Sequence, residues 1–139
     1  MGLGEKLAQP LAELLHANNW EIDLVTAVPL DAARQRDRGY NQSLCLARPL
    51  AWETGLPIAS SIIKRIKKTK SQVGLSVEER KINVNGAFWA ETKLVIGKSI
   101  LIIDDVVTTG STINSCAEAL IRAEASRVYG LTLARSRRL

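Results

Sequence analysis

Apolar residues recur along this chain in two different rhythms. Leu3, Leu7, Leu11, Leu14 and Leu15 fall on one stripe at helical spacing, and Leu44, Ala47, Leu50 and Ala51 make a second helical face. Pro10 and Pro49 interrupt these patterns, so each helix is expected to kink or to start at its proline as first helical residue. Short continuous apolar runs lie between the helical stretches. Residues 24–28 read as a strand ended by Pro29, residues 62–66 as a short strand entering a polar loop, and 87–89 and 128–134 as two more. Ser76 and Glu79 match a capping box, which predicts a short helix over 76–83. Strands alternating with helices predict an α/β fold with a mostly parallel central sheet flanked by helices. Neither a repeat nor a low-complexity linker divides the chain, so one domain over 1–139 is expected.

The most informative stretch is residues 100–112, ILIIDDVVTTGST. Ile100, Leu101, Ile102 and Ile103 form a branched run typical of a strand buried on both faces of a parallel sheet. Asp104 and Asp105 follow where that strand is expected to end. Small, hydroxyl-rich residues surround Gly110, and a helical pattern begins with Ile113, Cys116, Ala117, Leu120 and Ile121. Such a unit suits a ligand carrying both an anionic group and hydroxyls. Free N–H groups at the helix start can hold a phosphate, and paired carboxylates can accept hydrogen bonds from sugar hydroxyls or bind Mg²⁺. The plainer alternative is a buried strand with a capped helix, Ser111 or Thr112 serving as N-cap. Two acids closing a central strand are costly unless something binds there, which favours the ligand.

Four rival strand–loop–helix motifs fail on their residues. A Walker A loop requires Gly-Lys-Ser/Thr, but Gly110 is followed directly by Ser111 and Thr112. A dinucleotide fingerprint needs three glycines, and Gly110 is the only one between Lys98 and Tyr129. The D-x-D-x-T pattern of phosphoaspartyl hydrolases would need an acid where Val106 stands. Response-regulator receivers need a later phosphoacceptor Asp, and none follows Asp105.

Composition fits such a domain. With 139 residues and 46% hydrophobic content, the chain is long enough to bury a sizeable core. Its mean hydropathy is +0.01. No apolar run approaches the roughly 18 residues of a membrane span, and no signal-peptide pattern opens the chain. Cys45 and Cys116 form no C-x-x-C pair, so zinc and redox motifs are absent; both are expected to be reduced core thiols in a cytoplasmic protein.

The net charge of +5 is clustered. Arg34, Arg36 and Arg38 form one group, and Lys64, Arg65, Lys67, Lys68 and Lys70 a second. Arg135, Arg137 and Arg138 form a third. Clusters of this kind bind nucleic acid through its phosphates, neutralise a pyrophosphate-bearing small molecule, or simply face solvent. Trp20, Trp52 and Trp89 are expected to pack rather than to stack on bases, and His16 carries no assigned chemistry.

At every position, residues 100–112 resemble the phosphoribosyl pyrophosphate (PRPP) motif of type I phosphoribosyltransferases. That pattern is four mostly apolar residues, two acids, two apolar residues, then Thr-Thr-Gly-x-Thr. Val28-Pro29-Leu30 followed by Arg38-Gly39-Tyr40-Asn41-Gln42 narrows the likeness to the ComF family, as do Arg65, Thr69, Gln72, Leu75, Arg80, Asn83, Ala87 and Phe88. With the closing Leu133-Ala134-Arg135, the resemblance runs from about Leu3 to the C-terminus. Typical members resemble a zinc ribbon joined to this domain, and no paired cysteines here supply its ligands. The chain therefore reads as a truncated member, one with a mis-assigned start, or a natural single-domain form.

The resemblance implies a type I phosphoribosyltransferase fold with a flexible hood loop. Asp104 and Asp105 would contact the ribose 2′- and 3′-hydroxyls and act in catalysis. Val107, Thr108, Thr109, Gly110, Ser111 and Thr112 would bind PRPP around its 5′-phosphate, with Arg38, and after it Arg34 or Arg36, facing the pyrophosphate. Residues 67–74, including Lys68, Thr69 and Gln72, occupy the position of the hood that closes over PRPP. Mg²⁺ would be held mainly through PRPP. An unidentified nitrogen acceptor, such as a nucleobase, would then receive the phosphoribose. Two other readings stay open: a PRPP-binding accessory of the DNA-uptake machinery with little catalysis, and a nucleic-acid-binding module. Asn41 is as readily an N-cap as a ligand contact. Nothing in the sequence names the acceptor or the oligomeric state.

Overall fold

A run of four branched residues wants both of its faces covered, and the chain is arranged to do that. In the computed structural model, which describes residues 3–29, 42–65, 88–107 and 111–135, these residues lie in strand β4, Ser99–Val107. It runs between β1, Leu24–Ala27, and β5, Arg127–Arg135, parallel to both. Because strand side chains alternate, Ile100 and Ile102 enter one apolar cluster while Leu101 and Ile103 enter another. The neighbours keep the same register. Leu24 and Val28 share the first cluster, and Val25 and Ala27 the second.

Helices cover each side. Helix α1, Leu3–Ala17, and helix α2, Gln42–Thr54, pack on the second face through Ala12, Leu15, Leu46, Ala47 and Leu50. On the first face lie helix α4, Ser111–Arg122, and a small antiparallel pair, β2 (Ile63–Arg65) with β3 (Phe88–Ala90). A single-turn helix, α3 (Thr92–Val95), leads back into β4. The pairing is thus parallel in the main sheet and antiparallel in the small one.

Both prolines lie inside their helices, which continue on either side of them. Neither helix starts at its proline. Each loses one backbone hydrogen bond, and the apolar face on both sides of the proline keeps the helix in place. A larger departure concerns β4, which was expected to stop at the acids. It continues through Asp104 and Asp105 to Val107, because β5 is equally long and pairs with it as far as Val107↔Arg135. The other strands match the sequence pattern to within a residue or two at each end, and the capped helix over 76–83 lies outside the described residues.

Three local devices fix the sheet. Asp23 pairs its own N–H with the Ser99 carbonyl at 2.8 Å and accepts the Ser99 N–H on Oδ2 at 2.8 Å, pinning the start of β4 to that of β1. The outer edge of β1 is closed by residues 57–59: Val25 N–H donates to the Pro57 carbonyl at 2.9 Å and Ala59 N–H to the Val25 carbonyl at 3.0 Å. Buried Thr26 adds its hydroxyl to the Ala59 carbonyl at 2.8 Å. Pairing at Val25 shortens the open row of donors and acceptors that the edge would offer to another chain. Gly97 takes a left-handed φ of +71° at the turn into β4 and gives its N–H to the Glu124 carbonyl at 2.9 Å, a conformation that disfavours a side chain.

Among the described residues no helix is long and apolar enough to cross a membrane.

Removing the Leu101 side chain, which is fully buried under α2, should cost about 2–5 kcal/mol as Leu101→Ala. Trp52→Ala, at a residue 88% exposed, should stay within about 0.5 kcal/mol of the parent. Urea unfolding followed by circular dichroism measures both.

Candidate functional site

Open parallel sheets place ligands beyond the carboxyl ends of their strands, and the two acids sit on the carboxyl-terminal half of β4. Asp104 is opposite Thr132 of β5, with Val106 opposite Ala134. After Val107, residues 108–110 lead to Ser111, the first residue of α4. The strand, the acids and the helix start are therefore joined by a connection of three residues. A helix of twelve residues presents unpaired N–H groups and a positive dipole end at that point.

Asp104 is 8% exposed, a carboxylate largely removed from water. Its Oδ1 accepts a hydrogen bond from the Ser43 hydroxyl at 3.5 Å. Ser43 is itself 4% exposed and is the second residue of α2, so the contact joins the beginning of that helix to the acid strand. This serine was not picked out from the sequence. Its one sequence cue is its place directly after Arg38-Gly39-Tyr40-Asn41-Gln42.

Helix α4 contributes buried Cys116 to the apolar cluster that holds Ile100 and Ile102. Burial pushes its thiol up to about 12; the Arg65 guanidinium works against that rise and the Asp104 carboxylate adds to it. A thiol so placed stays neutral at physiological pH and serves as packing. Cys45, by contrast, is exposed rather than part of the core, because it lies on the outward side of α2. Close packing of α4 on β5 is permitted by Gly130, where a β-carbon would come within 3.0 Å of Ile113 Cδ1.

The small sheet forms a stem for residues 66–87, the stretch containing the expected hood. Its two strands meet at Arg65↔Phe88, with the Arg65 guanidinium 4.7 Å from the centre of the Phe88 ring. Arg122 of α4 donates to the Phe88 carbonyl at 3.4 Å, tying stem to helix. Lys64 lies over the Trp89 ring at 5.9 Å. The described residues on either side of that stretch, Arg65 and Phe88, thus pack on the face that carries α4.

Of the residues expected to act, Asp104 and Thr112 are described with their side chains, Thr112 being exposed on the first turn of α4. Asp105, Val107 and Ser111 have described backbone positions, at the end of β4 and the start of α4. Arg34, Arg36, Arg38, Asn41, Lys68, Thr69, Gln72, Thr108, Thr109 and Gly110 lie outside the described residues. Two of the three tryptophans do not pack as expected: Trp52 is 88% and Trp89 46% exposed. Trp20 does pack, stacking on Tyr129 at 4.8 Å between ring centres. Trp52 shares an open depression with Arg48, Leu56 and Ile58 near the far end of α2 from Ser43. Among the described residues no group of three or more His, Cys, Asp or Glu gathers to cage a metal.

A family model described as the phosphoribosyl transferase domain matches residues 37–138. The chain is 41% identical over 114 residues to the DNA utilization protein YhgH of Salmonella typhi, covering 82% of this chain and 50% of that one. It is 36% identical over 120 residues to competence protein F of Haemophilus influenzae, covering 81% and 51%. The chain therefore spans about half the length of these curated relatives. Among solved structures, glutamine PRPP amidotransferase from B. subtilis, complexed with ADP and GMP, superposes with a TM-score of 0.67 at 23% identity. The match covers 94% of this chain and 26% of that one. It is a likeness of fold alone.

Cys45 of the native protein should react with Ellman's reagent at pH 8 within minutes, forming a mixed disulfide and releasing one equivalent of thionitrobenzoate, and Cys116 only after denaturant is added. Two thiols reacting together in the native state would contradict the burial of Cys116.

Proposed function

Because this chain belongs to the phosphoribosyl transferase domain family, with a sequence of the ComF type, we propose that it binds PRPP with Mg²⁺ and transfers phosphoribose to a nitrogen acceptor, releasing pyrophosphate. The observation that supports this best is the junction at the carboxyl end of β4, where Asp104 and Asp105 are followed within a few residues by the N-terminus of α4. The ribose hydroxyls would donate to the carboxylates while the 5′-phosphate takes the amides of residues 108–112.

The donor set suits the metal. Carboxylate and hydroxyl oxygens are the hard ligands Mg²⁺ takes, and the family resemblance implies that it would be held mainly through PRPP. When bound with PRPP, Mg²⁺ would lower the charge cost of the departing pyrophosphate. Asp104 and Asp105 would hold the ring and favour positive charge developing at C1′. Arg38 would face the pyrophosphate. The hood expected over residues 67–74 would close over the ligand and exclude water that otherwise hydrolyses it.

A second reading has its own support. The curated relatives are named for DNA utilization and competence, not for a transferase. On that reading the same site binds PRPP while the protein serves DNA uptake with little catalysis. The acceptor decides between the two.

Saturating PRPP with Mg²⁺, at about 100 times its dissociation constant, should add about 2.7 kcal/mol of stability, read as a rise in Tm. Asp104→Asn combined with Asp105→Asn should abolish the rise; an undiminished rise would remove the acids from the site. Pyrophosphate release across a panel of nucleobases and amines should then name the acceptor. A rise in Tm with no release from any of them would favour the accessory role.

A further inference from the structure

The hydroxyl–carboxylate contact between α2 and β4 has a consequence for ligand binding. Ser43 and Asp104 are 61 positions apart in sequence, both buried, and meet at 3.5 Å. Neither is free to drift. Ser43 sits on a first turn held by Leu46, Ala47 and Leu50 against the sheet, and Asp104 sits on a strand paired on β5 at Thr132. A hydroxyl fixed by its own helix therefore limits the rotation of a carboxylate at the end of the central strand.

We infer that Ser43 is a positioning residue for the acid pair, setting the Asp104 carboxylate to receive sugar hydroxyls. The inference rests on the reading of this site as one for a phosphorylated ribose. Ser43 donates to Oδ1 and so holds the carboxylate plane; it touches no part of the ligand. It also links the helix that follows the Arg38 segment to the strand carrying the acids. Hydrogen bonds to charged groups are stronger than neutral ones, and this one is long, so its loss belongs at the lower end of their range.

The test compares PRPP and inorganic pyrophosphate, each with Mg²⁺, on the wild-type chain and on Ser43→Ala, Ser43→Thr and Ser43→Cys, using calorimetry and the Tm of the unliganded proteins. Ser43→Ala should weaken PRPP about tenfold, leave pyrophosphate affinity as in the wild type, and be rescued by Ser43→Thr, which keeps the hydroxyl. Ser43→Cys, close in size but a weak donor, should fall between, and it carries the comparison with Ser43→Thr if the alanine variant does not fold. Unaltered PRPP affinity in Ser43→Ala or Ser43→Cys would overturn the inference. So would a parallel loss for both ligands, or threonine failing to rescue a folded variant. If the wild type does not bind PRPP, the proposed function fails and this inference with it; binding that ignores Ser43 removes this inference alone.

Discussion

The placement of the whole site follows from one constraint, that β4 must be covered on both faces. Residues 100–103 are essentially without solvent exposure, and a strand of this kind is stable only with parallel neighbours and a helical layer on each side. Meeting that requirement puts α1 and α2 on one face and α4 on the other. The carboxyl end of the strand then emerges between the starts of α2 and α4. Asp104 there meets the start of α2 through Ser43, and the strand leads within a few residues to the start of α4, where a helix N-terminus favours negative charge. Site chemistry is thus a consequence of core packing rather than an addition to it.

Much of this was legible in the sequence because it rests on local patterns. The branched run and the helical spacing from Ile113 to Ile121 fix a strand and a helix on either side of a short loop, and period and composition are enough to find both. Where the reading went astray, longer-range partners decided the outcome. The end of β4 could not be read from its own residues, since it depends on β5 being long enough to pair with Val107. Local grounds leave Pro10 and Pro49 as either kinks or first helical residues; packing of the surrounding apolar face outweighs one missing hydrogen bond and carries both helices past them. The single-turn helix at Thr92–Val95 has too few residues to show a period.

The site residues divide in the same way. Asp104 and Asp105 stand out because a double acid beside an apolar run is chemically conspicuous. Ser43 does not, since a serine near a helix start is common and ordinarily caps its own backbone. Its relation to Asp104 exists only once α2 is laid across the sheet. Exposure misled in a similar manner for Trp52 and Cys45: each sits in a helix that is mostly apolar, and composition alone does not say which side of that helix meets the core.

The account turns on a phosphorylated sugar being held where β4 gives way to α4, and amide chemical shifts of isotopically labelled protein report that directly. Titration with PRPP and Mg²⁺ should move the resonances of residues 104–112 most, with Thr132 and Ser43 following through the strand and helix contacts. Saturable shifts gathered instead around Trp52 and Arg48, or no shifts at millimolar ligand, would contradict it.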